Sequence, residues 1–327
     1  MHSSIDLSLV LCHNGHQGRR RLPSWSHPYV SFSGLKEPFM AEDNANVYGP
    51  EWHSAKLARL DLVEDPFQLS ANPRYLYLGD EHLVVYRNIQ GVIARRRGLA
   101  LVTGQPGTGK SSLARHIYNQ LYGQKNIDIA YIDTGNFSSR MDAARTVSRA
   151  FTKIDVPSAR SYAEQMENFK KEIVKVYGER RNVILLLDDA QLLTRQGMVM
   201  IQELYNFDFN EKAVTVVAFG QDEVVNNFRK YPAINSRIYI TQTLARISFA
   251  TALQMVEFRL RVAGRSQPLF TDEAFSLVFE LSDGIPREVV RICSLAVDNL
   301  LASDREQVTL DVMKEVQEQD EKQVEKQ

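Results

Sequence analysis

Several things are scarce in this 327-residue chain. It has two cysteines, Cys12 and Cys293, too far apart to supply either the paired spacing of a zinc site or a disulfide framework, and this points to a reducing compartment. No apolar run approaches the ~18 residues that span a bilayer, so no transmembrane segment and a cytoplasmic location are expected. Charge imbalance is also missing: the net charge is -1, which removes any bulk attraction to nucleic acid. Such contact would need a local patch or an assembled oligomer. Ile5 to Cys12 is mildly apolar but lacks a charged n-region, and Leu11 stands where a lipoprotein site has a small residue, so neither export address is expected.

What is present is an ordinary globular composition, 44% hydrophobic and 24% charged, on a chain long enough for a large α/β core plus a smaller second unit. One stretch organises it. Gly104-Gln105-Pro106-Gly107-Thr108-Gly109-Lys110-Ser111 fills every fixed position of the phosphate loop G-x-x-x-x-G-K-[ST], and Ser112 continues it. An apolar run, Leu99 to Val102, precedes the loop, and a helical repeat of apolar residues follows. The glycines let backbone N–H groups turn inward around phosphates, and the positive end of the next helix adds its dipole. Lys110 is expected to reach the β- and γ-phosphates of ATP, and the Ser111 hydroxyl to ligate Mg²⁺.

Residues 1–39 are rich in His, Ser, Gly, Pro and Arg without periodicity, so a disordered leader is expected, with Arg19-Arg20-Arg21 solvated. Met40 is an alternative start. Residues 40–64 read as an N-terminal extension. The segment Asp65 to Tyr77, with two prolines and clustered aromatics, either lines the adenine pocket or packs on the core. Asp80 to Arg97 predicts a helix closed by three arginines, which favour a helix C-terminus. Beyond the phosphate loop, strand and helix signals alternate: Ile127–Ile132, then helices over Ser138–Thr152 and Ser161–Tyr177. That alternation predicts a three-layer α/β/α fold around a parallel sheet, spanning residues 65–247.

Asn182 to Leu187 is an unbroken apolar run ending in Asp188 and Asp189. A buried strand of this kind delivers Asp188 to the edge of the sheet beside the Mg²⁺ tied to Ser111. Asp189, one residue on, is placed to orient the attacking water or else to pair with a nearby cation. Asp is a methylene shorter than Glu, and a displacement of ~1 Å can cost on the order of 100-fold in rate. Gln221 follows another buried strand and can contact the γ-phosphate. From Phe249 to Val316 the signal is helical throughout, which predicts a helical lid over residues 248–318 and a flexible tail over 319–327. Arg287 follows Gly284-Ile285-Pro286 at the start of one lid helix.

Together these motifs resemble the AAA+ superfamily of ATPases, from about Asp65 to about Val316. Phe258 to Gly264 and Gly284-Ile285-Pro286-Arg287 are similar to the branch holding the general secretion pathway A-type ATPases and the transposition ATPases related to TniB and MuB. Asp65-Pro66-Phe67 and Pro73 to Tyr77 lean towards the secretion type. The resemblance implies that Gln221 is a first nucleotide sensor and Arg287 a second, carried on the lid. It implies also that Arg237, after Ser236, is an arginine finger acting on a neighbouring subunit's ATP; the competing reading is a salt bridge within its own subunit. Lys110, Asp189 and Arg237 are then the catalytic set. Asp189 departs from the Glu usual there, and the chain stops soon after the lid, where relatives continue into further domains.

The implied activity is ATP hydrolysis with Mg²⁺ coupled to assembly of a homo-oligomeric ring or filament that remodels a partner. That partner would be DNA with a transposase, or a secretion or envelope machine. A weakly hydrolysing nucleotide-gated scaffold or DNA-binding switch is the alternative. A small-molecule kinase would leave Arg237 and Arg287 without a role.

Overall fold

The structure is a computed structural model that describes residues 50–69, 72–207, 212–303 and 305–324. The expected leader over 1–39, with Cys12 and Arg19 to Arg21, lies outside the described residues, as do Met40 and most of the extension before residue 50.

Five parallel strands form one sheet: β1 (Leu99–Thr103), β2 (Ile127–Ile132), β3 (Asn182–Leu187), β4 (Val214–Phe219) and β5 (Ile238–Thr243), in the order β2-β3-β4-β1-β5. The apolar runs are explained by burial on both faces. Leu101, Leu185 and Val216 enter the core beneath α4 (Arg140–Ala150), α5 (Tyr162–Gly178) and α6 (Arg195–Tyr205). Val102, Ile184 and Val217 enter the opposite core, beneath α2 (Asp80–Ala94) and α3 (Lys110–Leu121). This is the expected three-layer α/β/α arrangement. Strand β5 alternates half-buried and exposed residues, as an edge strand should. Ser139, Ser161 and Thr194 cap α4, α5 and α6 by accepting a backbone N–H three residues on.

Beyond β5 come four helices: α9 (Phe249–Val262), α10 (Asp272–Ser282), α11 (Pro286–Ala302) and α12 (Leu310–Val324). They enclose a third core of their own. Two expectations about this region are corrected. Where a flexible tail is expected from residue 319, α12 continues to Val324, and Asp320 receives a two-pronged bond from Arg291 at 2.7 and 2.9 Å. The N-terminal boundary also shifts: Leu57, Leu60, Leu62, Phe67 and Tyr75 belong to the lid core, not to the sheet.

Segment 57–75 is tied to the lid by long-range bonds. Val63 N–H donates to Ala263 O at 2.8 Å, Arg265 Nη1 to Leu60 O at 2.8 Å, and Arg259 Nη1 to Pro66 O at 2.8 Å. The chain therefore crosses between lid and sheet twice. One crossing lies between Tyr77, which packs in the lid core, and Leu78, which packs under the sheet; the other lies between Leu244 and Ile247. Arg96 and Arg97, after α2, are used structurally. Arg96 donates to the carbonyls of Arg180 and Arg181 and lies over Tyr177, and Arg97 lies over Tyr239.

Candidate nucleotide site

Strand β1 ends at Thr103, and the next residues form the phosphate loop that becomes α3. Gly107 and Gly109 have φ of 84° and 96°, a region costly for residues with a Cβ. Space forbids a side chain as well. A Cβ on Gly107 would lie 2.8 Å from Ile285 Cγ2, and one on Gly109 would lie 2.9 Å from His82 Nε2. The loop carbonyls are tied back one by one. Lys110 Nζ donates to Gly104 O and Gln105 O, both at 2.8 Å; the Thr108 hydroxyl donates to Gln105 O at 2.9 Å; Arg287 N–H donates to Gly107 O at 3.2 Å. Burial lowers the pKa of Lys110, and Asp188, Asp222 and Asp189 oppose that shift.

A cavity of about 570 Å³ opens over this loop. From the sheet unit it is lined by Pro106, Gly107, Gly109, Lys110, Ser111, Ser112, Asp189 and Gln221. The lid contributes Arg259, Pro286, Arg287 and Val290, and the N-terminal segment contributes Gln68, Leu69, Asn72, Pro73, Leu76 and Tyr77. Phe67 and Tyr75 pack in the lid core, Tyr75 also reaching the cavity lining, and their neighbours form the cavity wall.

Asp188 is 5% exposed and stands behind the cavity wall. Its Oδ2 accepts from Tyr131 OH at 2.8 Å and its Oδ1 from the Asp189 N–H at 3.0 Å. Asp189 is exposed to the cavity with φ 45°, and its Oδ1 accepts from Gln191 Nε2 at 3.1 Å. The Gln191 side-chain oxygen in turn accepts from Gln221 N–H at 3.0 Å, so Gln191 links the two strand ends. The donor set suits a hard cation: one hydroxyl, Ser111, and one carboxylate, Asp188. Among the described residues no cluster of three or more His, Cys, Asp or Glu could hold a metal by itself. Magnesium sites completed by substrate phosphates and water have this form.

Arg237 is not brought to this cavity. It directly precedes β5, whose Ile238 pairs with Leu99 at the start of β1, whereas the phosphate loop follows the end of β1. The two sites thus lie at opposite edges of the sheet, separated by the length of β1, ~13 Å at 3.3 Å per residue. Within its own chain Arg237 Nη1 donates to Asn206 Oδ1 at 3.4 Å, and its guanidinium lies 5.9 Å from the centre of the Tyr205 ring. Among the described residues no carboxylate pairs with it, so the salt-bridge alternative finds no partner there.

Four residues around the site receive no role from the sequence motifs. His82 contacts the loop, and Tyr131 holds Asp188. Arg115 lines the cavity with its charged form favoured by the Tyr131 oxygen, and Arg259 lies over Tyr75 with burial lowering its pKa. Tyr131 was the most visible in advance, as the one aromatic hydroxyl in β2.

Residues 93–228 match the AAA domain family. General secretion pathway protein A of Aeromonas hydrophila is 29% identical over 239 residues, 72% of this chain and 43% of that protein, so the chain spans less than half of it. The Aeropyrum pernix ORC2 protein, solved in ADPNP-ADP complexes, matches 72% of this chain and 65% of its own with TM-score 0.55 and 14% identity. Pyrobaculum aerophilum Cdc6p matches 76% and 68% with TM-score 0.58 and 16% identity. No helix of the described residues is long and apolar enough to cross a membrane. Phosphate loop, acid-ended strand, sheet order and helical lid agree with these likenesses: residues 93–228 match the AAA domain family, and the fold is the one seen in the ORC2 and Cdc6p structures.

Proposed function

We propose that the chain binds ATP with Mg²⁺ in the cavity between sheet and lid, and hydrolyses it when a second copy supplies Arg237. The observation that carries this reading is the convergence on one cavity of the phosphate loop, the residues after β3 and β4, and Arg287 at the start of α11. Gly104 to Ser112 hold the triphosphate, with Lys110 on its β- and γ-oxygens. Ser111 and Asp188 are the oxygen ligands of Mg²⁺, which when bound offsets the charge of those phosphates. Asp189 orients the attacking water, Gln221 contacts the γ-phosphate, and Arg287 lets the lid respond to the nucleotide.

The edge position of Arg237 supports action in trans. A guanidinium at the far edge of its own sheet serves a neighbour's phosphates in a head-to-tail arrangement, which generates rings or filaments. A remodelled partner, whether DNA with a transposase or a secretion assembly, belongs to this proposal as well; the proteins it resembles include general secretion pathway protein A and an ORC2 protein.

Turnover measured with ATP and Mg²⁺ tests the reading. Wild type is expected to hydrolyse ATP, and Lys110→Ala to lose at least ~100-fold, the scale for removing one preorganised charge. A second reading, the nucleotide-gated scaffold, is favoured by Asp189, whose short carboxylate already accepts from Gln191. Wild type that binds ATP yet turns over no faster than Lys110→Ala would select it.

A further inference from the structure

We propose that His82 is a positioning residue of the phosphate loop: its Nε2–H holds the Thr108 carbonyl outward and so aims the Gly109 N–H into the phosphate cradle. This rests on the nucleotide-binding reading above and assigns a role to a residue that no motif marks.

His82 lies in the first turn of α2 and is 5% exposed. Its Nε2 stands 3.0 Å from Thr108 O. A carbonyl only accepts, so Nε2 must carry the proton. In the neutral ring Nδ1 is then a bare acceptor, and it is buried without a partner among the described residues. Burial favours that neutral ring, against the smaller opposing pull of Thr108 O and Glu81. A leucine in the same space would spare the bare Nδ1 but leave Thr108 O without its donor, so the two costs offset and fold stability alone does not single out a histidine here. What a histidine adds is the Nε2 donor.

The peptide joining Thr108 to Gly109 is planar and trans, so its C=O and N–H point in opposite directions. Fixing the oxygen on α2 fixes the N–H towards the loop interior, where inward N–H groups make an anion nest. The ring edge also occupies the place a Gly109 Cβ would take, which holds the loop at its junction with α3. This tie differs from its neighbours. The bonds to Gly104 O and Gln105 O come from Lys110, whose ammonium serves the phosphates in the proposed reaction, whereas the bond to Thr108 O comes from outside the loop and survives when Lys110 turns away.

The test uses the full chain and a fluorescent ATP analogue, with Tm measured alongside. His82→Leu is expected to leave Tm close to wild type while weakening binding about tenfold, as its loop loses a preset donor. His82→Gln can present an amide N–H where Nε2 stands, and is expected within about threefold of wild type. His82→Asn, a methylene too short, should resemble His82→Leu. Should His82→Leu not fold, the Gln and Asn variants decide. Binding by His82→Leu equal to wild type, or by His82→Gln as weak as His82→Asn, overturns the assignment. Wild type binding no better than Lys110→Ala would instead remove the nucleotide reading beneath it.

Discussion

The two halves of the cavity are held in different ways. The sheet half hangs from β1, β3 and β4, whose residues are almost all buried between two helical layers. The lid half hangs from helices with a separate core, into which the N-terminal segment 57–75 is woven. Polar contacts join the halves close to the site. Arg287 N–H meets Gly107 O, Arg246 joins the Gln105 side chain to Asp283, and Glu81 receives Ser248 N–H at 2.9 Å and the Thr251 hydroxyl at 3.1 Å. A densely packed core resists displacement, while a junction of a few hydrogen bonds, each worth ~1 kcal/mol, exchanges readily. On the proposed reading the sheet grips the nucleotide and the lid responds to it, and segment 57–75, packed in the lid core, is expected to move with the lid.

Substitutions can break or sharpen this contrast. The largest effect is expected from Arg287→Ala, which removes one of the two lid arginines that line the cavity. ATP turnover should fall ~100-fold or more, the scale of a transition-state charge contact, with Tm nearly unchanged because the side chain is outside either core. An equal fall in Tm would mean that lid and sheet form one cooperative body.

Glu81→Gln is expected to be milder. Burial pushes the Glu81 pKa up, but the Ser248 N–H and Thr251 hydroxyl outweigh it and leave the carboxyl below its ordinary 4.5. Its contribution is therefore complete above that value and disappears as pH falls through the lower folded one. Above pH ~5 the variant should melt about 2–4 °C lower than wild type, the shift for ~1 kcal/mol in a domain of this size, and the gap should close as pH falls below 4.5 through the lower folded value. A gap independent of pH would rule out the carboxylate as the link.

Tyr131→Phe is expected to be the smallest of the three. It deletes the bond to Asp188 Oδ2 and keeps the ring in place, so turnover at saturating Mg²⁺ should drop by less than about threefold, with ATP binding retained. Loss of binding instead would assign Tyr131 to the grip of the loop rather than to Asp188.

The same contrast governs what could be read from the chain alone. Gly104 to Ser112 and Asn182 to Asp189 are contiguous, and their chemistry follows from local order, so loop, strand and lid helices were legible. Phe67 and Tyr75 were visible as an aromatic cluster, but their partners lie in α9 and beyond, and no local pattern says which core claims them. His82 looks like any polar residue in a first turn until the loop is folded against it. The tail was misjudged because α12 is polar on most faces, and the Arg291–Asp320 pair that anchors its far end spans 29 positions.

The central claim is that one ATP is served by two copies, through Lys110 of one and Arg237 of the other. Mixing Lys110→Ala with Arg237→Ala tests it most directly. Each variant alone should be nearly inactive. The mixture should regain turnover, because a junction pairing the intact Lys110 of one copy with the intact Arg237 of its neighbour lacks nothing. A mixture no more active than its separate components, or an Arg237→Ala protein as active alone as wild type, would contradict the account.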